Sequence, residues 1–223
     1  LSSSDATIGG SLLNGAVAMD AVAGIADFSG KNVKLTGLIG SRDLTASSTG
    51  LADAIGSVNI TFGAANKLAV TRQAAGAVNG VAFTTQPQVT VQDVSGNTVT
   101  DNTDTISVAT SGAVLSGTAT ATAASGIATF SGLTLTGTAA TYSLTFSSGS
   151  LATDSRDITV TYGAAHHLAI TTPAAGAVNN IAFTTQPVIT IQDQSNNTVA
   201  NLTSAITVSS SGSTLSSNNA TLT

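Results

Sequence analysis

The chain has 223 residues and a formal net charge of −5, with 42% hydrophobic and 8% charged residues, against ~25% charged in typical soluble domains. Its six basic residues, Lys31, Lys34, Arg42, Lys67, Arg72 and Arg156, are scattered, so no basic stripe offers itself to a phosphate backbone and nucleic acid is not an expected partner. All eleven acids are Asp and cysteine is absent; surface positions go to Thr and Val rather than helix-favouring Glu, Lys and Arg, which points to an all-β protein.

At the start of the chain, the most apolar stretch, Leu12 to Ile25, is broken by Asn14, Asp20 and several glycines, so no membrane helix is expected. The opening Leu-Ser-Ser-Ser lacks a charged leader, and any signal peptide is expected upstream or already removed. Further on, Gly24-Ile25-Ala26-Asp27-Phe28-Ser29-Gly30 matches Gly126-Ile127-Ala128-Thr129-Phe130-Ser131-Gly132, and Ile60-Thr61-Phe62-Gly63 matches Val160-Thr161-Tyr162-Gly163. Residues 1–63 therefore read as the C-terminal part of one repeat.

Residues 64–163 read as one whole repeat. Strand-like alternation marks Leu68 and Val70, Val89 and Val91 after Pro87, Ile106 and Val108, then Tyr142, Leu144 and Phe146, and Ile158, Val160 and Tyr162. It places Val91 inward and Thr90 outward. Glycine- and asparagine-rich punctuation at Ala75-Gly76, Ser95-Gly96-Asn97, Ser111-Gly112, Ser125-Gly126 and Ser148-Gly149 separates the runs. About seven short strands in about 100 residues is the signature of an immunoglobulin-like β-sandwich.

Residues 164–223 then restart the pattern. Gly63-Ala-Ala-Asn-Lys-Leu-Ala-Val70 becomes Gly163-Ala-Ala-His-His-Leu-Ala-Ile170, Ala74-Ala-Gly-Ala-Val-Asn79 becomes Ala174-Ala-Gly-Ala-Val-Asn179, and Ala82-Phe-Thr-Thr-Gln-Pro87 becomes Ala182-Phe-Thr-Thr-Gln-Pro187. This segment is the N-terminal part of a further repeat. The expected fold is all-β, with tandem immunoglobulin-like β-sandwich repeats of about 100 residues.

Asp93-Val-Ser-Gly-Asn97-Thr-Val, Gly126-Ile-Ala-Thr-Phe130, and Gly137 with Tyr142-Ser-Leu-Thr-Phe146 resemble, in that order, the bacterial Ig-like (Big-type) tandem repeats of invasin- and intimin-like adhesins and other giant surface proteins. The resemblance spans the chain and implies an extracellular or cell-surface location.

Candidate sites are few. Asp93 and Asn97 have oxygens suited to a calcium ion, but the same residues build a β-turn, and the counterpart Asp193-Gln-Ser-Asn-Asn197 adds no acid. The turn is the preferred reading. His166 and His167, the only histidines, stand where the whole repeat has Asn66 and Lys67, so exposed strand-edge positions are expected rather than a base or metal ligand. Lys67 becomes His167 and Lys34 matches Thr136 or its neighbours; with no recurring lysine and no Glu, a Lys–Asn or Lys–Asp crosslink is not expected. Asn59, Asn196, Asn201 and Asn219 begin glycosylation sequons of a kind that arises by chance in such a composition. No nucleophile–base–acid set can be assembled, so neither a catalytic role nor a cofactor is expected.

The expected function is a structural module of an extracellular fibre or stalk, with neighbouring copies as partners in a head-to-tail filament; the alternative is an adhesin repeat that binds a host, cell or substrate surface. Segment 1–63 corresponds to 101–163 and segment 164–223 to 64–123, so one chain's end could complete the next chain's beginning, either between subunits or within one giant polypeptide.

Overall fold

The computed structural model describes residues 2–3, 12–14 and 18–216, with side chains from 18 onward. All regular structure there is strand. Before residue 63 these are β1 (Ser2–Ser3), β2 (Leu12–Asn14), β3 (Lys34–Thr36), β4 (Gly40–Ala46) and β5 (Ala54–Ile60). They form a β1-β4-β5 sheet and a β2-β3 pair.

Residues 64–163 contribute β6 (Lys67–Arg72), β7 (Ala77–Val78), β8 (Gln88–Gln92), β9 (Thr105–Ala109) and β10 (Val114–Ser116). There follow β11 (Thr120–Thr122), β12 (Ile127–Thr129), β13 (Thr134–Thr136), β14 (Thr141–Ser147) and β15 (Asp154–Thr161). The final pair is β16 (His167–Thr172) and β17 (Val188–Gln192).

Two sheets dominate the middle of the chain, one of three strands ordered β12-β8-β6 and one of five ordered β11-β9-β14-β15-β7. All pairings are antiparallel except β15 with β7, where Val160 faces Ala77. Their inward residues share one core, with Leu68, Val89, Val91 and Ala128 from the first sheet against Ile106, Val108, Leu144, Phe146, Ile158 and Val160 from the second. The result is a β-sandwich, as period-two alternation requires when each sheet has one dry face. Phe130, just beyond β12, and Phe146 meet in the core with ring centroids 5.4 Å apart.

Thr90 departs from the expected alternation, being only 3% exposed although Val89 and Val91 take the core positions beside it. It lies on the central strand β8, directly between Ala69 of β6 and Ile127 of β12. Its hydroxyl is 3.0 Å from that of Thr71. Flanked by a strand on each side, a short side chain on a central strand can be covered, so outward does not mean exposed.

Outside this sandwich, positions equivalent to the core are uncovered. Leu168 is 55% and Ile170 66% exposed, whereas Leu68 is 3% exposed; Val58 is 38% exposed against 5% for Ile158. Among the described residues, β16 pairs only with β17, and that two-stranded sheet has no second sheet over its apolar face.

Candidate functional site

Among the described residues, besides Thr90 and Ser148, the buried polar residues are Asn79, Asp93, Asn97, Asp193 and Asn197, and hydrogen bonds join them into two clusters. Asp93 follows β8 and is 3% exposed. Its Oδ1 accepts from the backbone N–H groups of Ser95 and Asn97, both at 2.9 Å, which closes the turn that Asp favours through its short side chain. Gly96 provides the positive φ, 87°, that the turn needs; Asn196 takes that role in the counterpart at 66°.

The second oxygen reaches beyond the turn. Asp93 Oδ2 accepts from the N–H of Gly63 at 2.9 Å and from Asn97 Nδ2 at 2.9 Å. Asn97 in turn donates to the carbonyl of Gly37 at 3.0 Å and accepts from the N–H of Ile39 at 2.9 Å. A single buried Asp–Asn pair thus ties three places together: its own turn, the connection at Gly63, and the Gly37–Ile39 turn some sixty positions earlier.

The same set recurs one hundred positions later. Asp193 Oδ1 accepts from Ser195 and Asn197, and its Oδ2 from Gly163 at 2.8 Å and Asn197 Nδ2 at 2.9 Å. Asn197 donates to Gly137 O at 2.9 Å and accepts from Ala139 N at 2.6 Å. Here a further residue joins. Asn79, on the turn after β7, donates through Nδ2 to Asp193 Oδ2 at 2.8 Å and accepts at Oδ1 from Gly137 N at 2.9 Å. Asn79 and Asp193 are 7% and 1% exposed. Gly163 is required by space: a Cβ there would stand 2.8 Å from the carbonyl oxygen of Asn79, whereas at Gly63 the nearest atom is 3.7 Å away.

The turn that receives Asn197 is also braced from its own side. Tyr142, second residue of β14, donates its hydroxyl to Thr138 O at 2.7 Å. In the earlier copy Arg42 stands at the equivalent position and donates through Nη2 to the equivalent carbonyl, Leu38 O, at 3.2 Å. Two different side chains thus hold the same carbonyl.

Burial pushes both carboxyls up, but the N–H donors outweigh it. For Asp93 the donors are the Gly63 backbone, the Asn97 side chain and backbone, and the Ser95 backbone, and the net effect lowers the carboxyl below its ordinary value. For Asp193 the Gly163 backbone, Asn197 and additionally the Asn79 side chain hold it far lower. Each carboxylate therefore serves as an acceptor for converging N–H dipoles. To bind a cation, Asp93 and Asn97 would first have to give up these bonds, since every oxygen faces donor hydrogens. Among the described residues no three His, Cys, Asp or Glu come together.

A cleft opens beside each junction, one of about 490 Å³ lined by Val78, Tyr162, Val199 and Leu202, the other of about 570 Å³ lined by Phe62, Val99, Asp101 and Asp104. The paired Gly-Ala-Ala segments 63–65 and 163–165 floor them both. His166 is exposed and His167 half-buried at the start of β16, with their Nδ1 atoms 3.3 Å apart. Lys34 is exposed on β3 and Lys67 half-buried on β6. Asn59, Asn196 and Asn201 are exposed; Asn219 lies outside the described residues.

Asn79, Gly137, Ala139, Gly37 and Ile39 were not candidates from sequence. The available signal was the double occurrence of Ala-Ala-Gly-Ala-Val-Asn, which keeps Asn at 79 and 179.

No family model and no curated protein sequence matches the chain. Among solved structures, it is similar to a glycosyl hydrolase family 2 member from Bacteroides cellulosilyticus (TM-score 0.40, 13% identity, 59% of this chain and 19% of that one). A β-glycosidase from Bacteroides vulgatus gives TM-score 0.38 at 12% identity over 58% of this chain and 19% of that one. The β-glucuronidase of Parabacteroides merdae gives 0.36 at 11% identity over 54% and 16%. The chain thus spans less than a fifth of the length of these three enzymes, and likeness at this level assigns neither family nor activity.

Proposed function

We propose that this chain is a load-carrying segment of an extracellular or cell-surface fibre, built from immunoglobulin-like units of about 100 residues joined end to end through a buried polar joint. The observation that carries the reading is the recurrence of the joint. Gly63, Asp93, Asn97 and the Gly37–Ile39 turn make the same bonds as Gly163, Asp193, Asn197 and the Gly137–Ala139 turn. A flexible linker would need none of these bonds; a stiff one needs a fixed partner for each buried polar group.

The immunoglobulin-like assignment is supported by the two-sheet core and by the Tyr142 hydroxyl on a carbonyl four residues upstream, an arrangement shared with the tyrosine corner of such sandwiches. Low charge and hydroxyl-rich strands suit a passive surface. The partner at each end is another copy of the same unit, which would cover the apolar residues left open on β16 and β17.

Electron microscopy of the native material tests this. Evenly spaced beads on a straight rod, on the order of 40 Å per unit for strands of this length with their turns, are expected. Collapsed or randomly bent chains would speak against a fibre.

A further inference from the structure

Asn79 is followed by Gly80, and a glycine in that position leaves its backbone nitrogen without a neighbouring Cβ to shield it. We propose that Asn79–Gly80 is a self-modification site gated by the joint: closed, the joint protects it; opened, it reacts and the joint cannot reclose. The inference rests on the geometry around Asp193 and not on the chain's being a fibre.

The chemistry is intramolecular. The Gly80 nitrogen, giving up its proton to water, attacks Cγ of Asn79. The new N–Cγ bond closes a five-membered succinimide, and Nδ2 leaves as ammonia. One water then opens the ring at either carbonyl, leaving aspartate or isoaspartate. An amide is exchanged for an acid with no oxidant or reductant.

Three features hold this reaction off in the closed joint. Gly80 N donates to Leu135 O at 2.9 Å, so the nucleophile is engaged. The Asn79 side chain is pinned at both ends, by Asp193 and by Gly137, and cannot swing its Cγ toward that nitrogen. It is also buried away from the water that must take the proton. After conversion, the new carboxylate would lie where Nδ2 now sits, 2.8 Å from Asp193 Oδ2. Two like charges would then face each other in a buried site with one donor lost. Opening by force, at a pH where the Gly80 nitrogen can give up its proton, thus becomes permanent.

Gly80 is not demanded by the backbone alone. Its φ is +73°, but the equivalent residue one hundred positions later is Asn180, at 60°. A Cβ at Gly80 would have its nearest neighbour at 3.9 Å. Gly80→Asn therefore keeps the turn and slows only the chemistry.

The test is peptide mapping by mass spectrometry of the whole chain held at mildly alkaline pH, beside a synthetic peptide of residues 76–84. Conversion at Asn79 in the wild type is expected to be at least about tenfold slower than in the peptide, as for any reaction that needs a local opening. Asp193→Ala is expected to raise it about tenfold, and adding Gly80→Asn to bring it back down. Should Asp193→Ala fail to fold by circular dichroism, Asn197→Ala loosens the joint by removing the side-chain bonds to Asp193, Gly137 and Ala139 while keeping the Asp193 carboxylate. Equal rates in wild type and peptide, or no acceleration in a folded joint variant, would overturn the proposal.

Discussion

Asn79 and Asp193 lie 114 positions apart and meet through a 2.8 Å bond from amide to carboxylate, both buried. This contact gives Asp193 a fifth donor. Asp93 accepts from four donors, whereas Asp193 accepts from those four equivalents and from Asn79 as well. Asp193→Ala should therefore destabilise more than Asp93→Ala. Each buried donor left without an acceptor costs about 1–3 kcal/mol, with part recovered by water. A loss of about 3 kcal/mol is expected for Asp193→Ala and less for Asp93→Ala, read from urea unfolding of the chain.

The glycines at the two joints should also differ. Gly163→Ala pushes a methyl against the Asn79 carbonyl at 2.8 Å, a backbone atom that cannot step aside, while Gly63→Ala meets only ordinary contact at 3.7 Å. Overpacking of this kind costs about 1–3 kcal/mol. Thermal melts of the pair should separate them, with Gly63→Ala near wild type. Equal melting temperatures would mean that the Gly163 contact is not as close as described.

Acid should act on the joint with a definite sign. Both carboxyls are lowered in the folded state, so their contribution is complete above the unfolded Asp value of about 3.9 and is lost as pH falls from there toward the folded values. Stability owed to these groups should be flat from pH 7 to pH 5 and fall below about pH 4. Asp193→Asn, which cannot titrate, should be less stable at neutral pH and show a shallower fall in acid. Parallel curves for the two proteins would remove Asp193 from the account.

Strand positions were largely legible, because Leu68, Val89, Ile106, Leu144 and Val160 alternate with Thr and Ser, and sandwich burial follows that period. Thr90 was not, since alternation reports which face a residue takes and not how deeply its neighbours cover it. The joint was half legible for a related reason. Asp93 Oδ1 closes a local turn, which five residues of sequence announce, but Oδ2 and Asn97 bind backbone groups 30 to 60 positions away. Backbone partners carry no side-chain signature, so nothing in composition or spacing marks Gly37, Ile39 and Ala139, and Gly137 stands out only as part of a motif, not as a partner of Asn197. The exchange of Tyr142 for Arg42 hides the brace as well.

The burial of Thr90 gives its own test. Thr90→Asp should be as damaging as Val91→Asp, by several kcal/mol, because each buries an unpaired charge. Ser107→Asp, at an exposed position on β9, should stay within about 0.5 kcal/mol. Denaturant midpoints of the three variants would show it; a mild Thr90→Asp would mean the central strand is open to water.

The most direct measurement of the locked joint is the distance between spin labels on either side of it. The chain has no cysteine, so Thr145→Cys on β14 and Thr171→Cys on β16, both exposed, would carry the only two labels. A single narrow distance distribution is expected for the otherwise native chain, broadening when Asp193 and Asn197 are both replaced by Ala. A distribution already broad in the native chain, and unchanged by those substitutions, would contradict the account.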